Sequence, residues 1–133
     1  LSEDTNDQKN ITASKIADDY FIQARMNKEQ SRSKSTEALK KISEDVNASE
    51  EIRNEAQAKM IALAEISEKE MRIETLINKM GFEDTFILFA DDGSVDIVVK
   101  TPSLTTSQTA QITDIVTRQG GVEVEDIHIK PMF

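Results

Sequence analysis

Between Met80 and Lys100 the chain, MGFEDTFILFADDGSVDIVVK, changes its hydrophobic period from helical to two-residue, and that switch restricts everything around it. Gly81 follows a long helical pattern and can take the left-handed conformation that ends a helix without a Cβ clash. Asp92-Gly93 then lies between two β-rich runs, a strong hairpin signal. With Asp92 and Gly93 as a two-residue turn, Ala90 pairs with Val95, Leu88 with Ile97 and Phe86 with Val99, an all-apolar face expected to meet the rest of the chain. Phe89 with Asp96, Ile87 with Val98 and Thr85 with Lys100 fall on the second, mixed face. A one-residue slip would exchange faces, so the pattern is expected to set the register. A lone hairpin is marginal in water, and other elements must cover it.

Helical sequence dominates upstream. Residues 1–13 are polar and rich in Asp, Asn, Ser and Thr, and are expected to form a flexible tail. From Ser14 to about Val46 neither Pro nor Gly interrupts a helix, which defines a helical arm over residues 14–47 with Ser14 as N-cap. Ile16, Tyr20, Phe21 and Ala24 form one short apolar stripe, and Leu39, Ile42 and Val46 another. The intervening RMNKEQSRSKSTE is almost wholly polar, so this helix is read as an arm for another chain. Ser49 caps a second helix with Ile52, Ala56, Met60, Leu63, Ile66, Ile73, Leu76, Ile77 and Met80 in a stripe interrupted at Lys69 and Glu70. Roughly 30 residues span about 45 Å, too long for a small sheet to cover. Its second half should therefore lie on the hairpin and its first half against Leu39, Ile42 and Val46, as a helical hairpin.

Downstream, Thr101-Pro102 stops the second strand, and Thr105 or Thr106 caps a helix whose buried stripe is Ile112, Ile115 and Val116, joined by Leu104. Gly120-Gly121 ends it, a turn or bulge is expected at Glu125-Asp126, and Ile127 and Ile129 point one way in a last strand while His128 and Lys130 point the other. The fold class is α+β: an N-terminal helical arm or helical hairpin, then an α-β-β-α-β two-layer sandwich with a three-stranded sheet over residues 48–133.

Little here suggests chemistry. No cysteine exists, and the single histidine, His128, reads better as solvent-exposed than as a ligand or catalyst. Asp91, Asp92 and Asp96 lack the spacing of a calcium loop, and no nucleophile elbow or phosphate-binding glycine loop is present. No catalytic residue, metal or cofactor is therefore expected. Lys+Arg 16 against Asp+Glu 25 gives a net charge of −9, which opposes tracking along nucleic acid. The α-β-β-α-β order also occurs in KH-type RNA-binding modules, an alternative weakened because neither a GXXG loop nor a basic groove is present.

Partner surfaces are better supported. Ile87, Phe89 and Val98 form a small apolar patch on the second hairpin face, expected to lie away from the helices. Tyr20 and Phe21, with nearby Arg25, have interface composition, against which packing within their own chain is the competing reading. A sheet edge bearing His128 and Lys130 could take a strand from another protein.

The segment E-x-x-I-x-K-M-G-F-E-D from Glu74 to Asp84, the DDG hairpin, the V-x-V-K-like end of the second strand and the Asp114-Ile115-Val116 helix together resemble the stage III sporulation protein AH family of endospore-forming bacteria. DDYFIQARMNKEQSRSKSTEALKKI resembles that family's region before its domain, so the likeness runs from about Ala17 to Ile129. The resemblance implies a protein held in the mother-cell membrane around the forespore by a transmembrane helix absent from this stretch, which starts at Leu1 and reads as a fragment. The soluble part would lie between the two membranes and pair as a heterodimer with stage II sporulation protein Q, in a channel or feeding apparatus. It also implies a domain similar to the ring-building motif of type III secretion basal-body proteins, and hence homo-oligomeric rings.

Overall fold

The structure, a computed structural model, describes the backbone of residues 2–133 and the side chains of residues 15–133. Helix α1 spans Ser2–Ser43 and helix α2 Glu50–Asn78; strands β1 (Thr85–Phe89) and β2 (Val95–Lys100) precede helix α3 (Thr106–Gly120), a 3-10 turn at Val124–Asp126 and strand β3 (Ile127–Met132). The α-β-β-α-β order and the α1–α2 helical hairpin agree with the sequence reading, but Ile42 and Val46, expected in the seam of that hairpin, are 41% and 83% exposed because α1 ends at Ser43.

Several boundaries follow from local chemistry. The Ser49 hydroxyl accepts from the Ile52 N–H at 3.2 Å and starts α2. Thr105 and Gln108 cap α3 reciprocally, each side chain accepting from the other's backbone N–H at 3.0 and 2.9 Å. Gly121 ends α3 at φ 65°. At the other end of the chain α1 begins at Ser2 rather than at Ser14: no Gly or Pro interrupts the helical ladder, so its hydrogen bonds continue back through a segment whose composition suggested a tail.

The sheet has strand order β1-β2-β3, with β1 antiparallel and β3 parallel to β2. One expectation about the hairpin is overturned. Thr85 faces Val99, Ile87 faces Ile97 and Phe89 faces Val95, one residue away from the two-residue-turn register. The Ala90 N–H donates to Ser94 O at 2.9 Å and the Gly93 N–H to Ala90 O at 3.1 Å, so three residues, Asp91 to Gly93, form the loop. The physical reason is φ: a two-residue Asp-Gly turn would push Asp92 to positive φ, whereas in the longer loop only Gly93, at φ 90°, leaves the right-handed region. Asp92 Oδ1 accepts from the Ser94 N–H and hydroxyl at 2.9 and 2.6 Å and holds that loop.

The slip turns β1 over. Ile87 and Phe89, not Phe86 and Leu88, join Val95, Ile97 and Val99 against Ile73 and Ile77 of α2 and Ile112 and Val116 of α3. Phe86, Leu88 and Val98 form the opposite face, where they pack with Tyr20, Phe21 and Ala24 of α1 and with Met132. The sheet is thus covered on both faces, by α2 and α3 on one side and by α1 on the other.

Candidate partner-binding surfaces

Helix α1 is fastened to the sheet and to α2 by an apolar anchor and three sets of ion pairs. Phe21, 1 % exposed, packs on the sheet against Phe86 and Val98, Ala17 is buried one turn before it, and Tyr20 stands edge-on to Phe21 with ring centroids 5.8 Å apart. One turn on, the Arg25 guanidinium donates to both Asp84 carboxylate oxygens at 2.9 and 2.6 Å, to Glu74 at 2.8 Å and to the Thr85 carbonyl at 2.8 Å. Two turns on, Arg32 donates in fork geometry to Glu70, and Lys28 approaches the same carboxylate at 3.3 Å. Lys100 of β2 pairs with Asp18 of α1 at 2.7 Å and with Glu83 at 2.8 Å.

These pairs set protonation. Burial pushes the Asp84 carboxyl up, but hydrogen bonding and charge from Arg25, aided by the Thr85 N–H and Lys100, outweigh it and hold the group below its ordinary range. Hydrogen bonds to Asp18 and Glu83 push the Lys100 ammonium above its ordinary value.

The same side chains close one border of the sheet. In the hairpin register, residues 84, 86, 88 and 90 of the first strand turn their backbone groups to β2, so those of Thr85, Ile87 and Phe89 face outward. Arg25 donates to Thr85 O, Lys28 donates to Ile87 O at 3.0 Å, and the Phe89 N–H donates to Glu70 at 2.9 Å. The β1 edge is therefore taken up by side chains of α1 and α2. Strand β3 forms the other edge, and no such side chain reaches it among the described residues.

The residues singled out from the sequence divide between interior and surface. Ile87 is fully buried, Val98 2 % exposed, and Phe89 half-buried under Lys69 and against Gly120, so the expected exposed patch does not exist. The cause is twofold: the register slip moves Ile87 and Phe89 to the core side, and α1 covers Val98. Phe21 packs within its own chain, as does Arg25, whose fork is occupied by Asp84 and Glu74. Tyr20 is half-buried, with the Lys130 ammonium 5.4 Å over its ring. His128 and Lys130 are exposed on β3, and with Tyr20, Phe86, Leu88 and Val98 they border a hollow of ≈ 330 Å³ beside α1.

Lys28, Arg32, Glu70, Glu74, Asp84 and Lys100 did not emerge from sequence patterning. A signal existed in Glu70, a charge that interrupts the apolar stripe of α2 and whose side chain is 2 % exposed. Exposed apolar side chains remain on the outer surface of the helices, including Ile22 and Met26 of α1 and Ile61 and Met71 of α2. No described helix is long and apolar enough to cross a membrane, and no group of three or more His, Cys, Asp or Glu among the described residues could hold a metal ion.

Comparison with known proteins sets this geometry in context. A family model described as SpoIIIAH-like protein matches residues 1–129. The stage III sporulation protein AH of Bacillus subtilis strain 168 is 30% identical over 118 residues, which are 89% of this chain and 54% of that protein, so the chain spans about half the length of that relative. A chain in the solved structure of the SpoIIQ-SpoIIIAH pore forming complex superposes with a TM-score of 0.76 at 30% identity, covering 85% of this chain and 96% of that one.

Proposed function

The chain belongs to the SpoIIIAH-like family, and from that premise we propose that it is a structural component of a sporulation assembly, pairing with a SpoIIQ-type protein. It works by surface complementarity rather than by catalysis. One observation carries this reading: the likeness to a chain of the SpoIIQ-SpoIIIAH complex extends over 96% of that chain, so its folded unit and this one correspond almost end to end. The internal geometry agrees. Arginine forks and their carboxylate partners are spent on holding α1 to α2 and to the start of β1, which leaves borders and helix faces as the surfaces on offer.

In this reading the domain acts in the space between the mother-cell and forespore membranes, and side-by-side copies build a ring around a channel. The pairing is tested by mixing the chain with soluble SpoIIQ at micromolar concentration and measuring mass by size-exclusion chromatography with light scattering. A 1:1 complex is expected; separate elution of the two proteins would overturn it. Rings are tested by electron microscopy of the purified complex, where closed particles of uniform diameter are expected.

A further inference from the structure

We propose that helix α1 exchanges between two copies of this chain: residues 44–49 straighten, α1 and α2 fuse into one long helix, and each α1 docks on the sheet and α2 of the other copy. This is independent of the pairing proposed above.

The turn between the helices offers little resistance. Residues 44–49 contain neither Gly nor Pro, and no described residue other than glycine has a positive φ, so helical backbone is open to all of them without strain. The bonds that hold the turn are local: the Ala48 N–H donates to Asp45 O at 3.1 Å, the Asn47 N–H to Asp45 Oδ1 at 2.9 Å and the Ile52 N–H to the Ser49 hydroxyl at 3.2 Å. A continuous helix replaces each of them with a ladder bond.

Phase supplies the stronger observation. Leu39, Ile42, Val46, Ser49, Arg53 and Ala56 follow one another at alternating steps of three and four, straight through the turn. The same steps reach Phe21, Arg25 and Arg32 upstream, which dock α1, and Glu70 and Ile77 downstream, which receive it and meet the sheet. Two helices joined by a turn need not share a phase. Here the straightened chain carries both docking faces on one side, so two copies laid antiparallel restore every α1 contact, with Arg32 of one copy on Glu70 of the other.

A second copy is the occupant because only this chain brings the matching α1, and because the crossing adds contacts that the single chain lacks. Ile42 is 41% and Val46 83% exposed in the closed hairpin. In the exchanged pair the two stripes cross at these residues, and each is covered by the facing stripe. The Phe21 anchor and the ion pairs are the same in both states, so the crossing and the chain concentration decide between them.

Exchange requires α1 to leave its sheet, so the 133-residue chain is refolded from urea at about 1 mM and its species are separated by size-exclusion chromatography with light scattering. A dimer is expected beside the monomer. Nitroxide labels on Lys34→Cys and Glu65→Cys, in labelled chain diluted into excess unlabelled chain, then read the geometry within one polypeptide. Both positions lie two residues nearer the turn than the Arg32–Ser67 contact, so in the hairpin the labels sit on adjacent helices, within about 20 Å. On the fused helix they stand roughly 46 Å apart. The dimer should show the long distance and the monomer only the short one. A dimer with the short distance alone would be a side-by-side pair and would overturn the exchange, as would monomer alone at that concentration. Val46→Pro gives a separate check: the residue follows Asp45, whose carbonyl closes the turn, at a place that suits Pro, whereas inside a helix Pro removes a ladder bond. Its dimerisation constant should fall by at least about a hundredfold, since both hinges carry the penalty. An undiminished dimer would overturn the proposal, and the label distances stand as a test without this variant.

Discussion

Glu70 stands where α1, α2 and β1 meet, and at 2 % exposure its carboxylate is met by Arg32, Lys28 and the Phe89 N–H. Removing that charge leaves two cations facing a carboxamide in a nearly closed site. Glu70→Gln should therefore cost about 3 kcal/mol in urea unfolding, near the lower end for a buried pair because Arg32 keeps some access to water. Asp84 acts at the other end of the same clamp. Its folded-state value lies below that of an unfolded carboxylate, so its stabilisation is complete above the ordinary carboxylate range and disappears as the pH falls through the lowered value. Unfolding free energy should decline with acidification over that window, and Arg25→Met should flatten the decline by removing the chief source of the shift. An equal slope in the variant would mean that other carboxylates govern the acid limb. Of these residues, sequence patterning singled out Arg25 alone and gave it to a partner surface. Arg25, Glu74 and Asp84 are 49 and 59 positions apart, and no local period registers a pair at such a distance.

Among the elements, α1 holds the least expected position. Its middle, RMNKEQSRSKSTE, reads as polar on every side and hence as an arm for another chain. Instead Arg25, Lys28 and Arg32 recur at three- and four-residue steps along one face and meet Glu74, Asp84 and Glu70 within the chain. A polar stripe can be a docking face when its partner surface carries the opposite charge. The apolar part of this docking is short, so single truncations should differ sharply. Phe21→Ala should destabilise by about 3 kcal/mol because it empties a closed site, whereas Ile22→Ala, 59% exposed one residue later, should change stability by about 0.5 kcal/mol or less in the same urea titration. Equal effects would place α1 differently on the sheet. The hairpin misreading has an element-level cause as well. Asp-Gly fits both a two-residue turn and a three-residue loop, and both strands carry apolar residues on both faces, so alternation alone did not choose the register.

For the molecule as a whole, α1 performs three tasks at once: it covers Phe86, Leu88 and Val98, occupies the β1 edge and pairs with the buried Glu70 carboxylate. A chain lacking residues 1–43 should therefore expose an apolar sheet face beside an open strand edge and self-associate, seen as a rise in scattering mass with concentration. A monodisperse monomer would show that α1 is dispensable to the domain. The sequence by itself determined the N-caps of α2 and α3, the α-β-β-α-β order, the inward faces of α2, α3 and β2, and a resemblance that named the family, because each rests on neighbours a few residues apart or on motifs contiguous in the chain. Only the tertiary structure decided which face of β1 is buried, which edge of the sheet stays open and what the polar middle of α1 is for. Those outcomes depend on charges and surfaces brought together from distant parts of the chain, and their balance appears only once the packing brings them into contact.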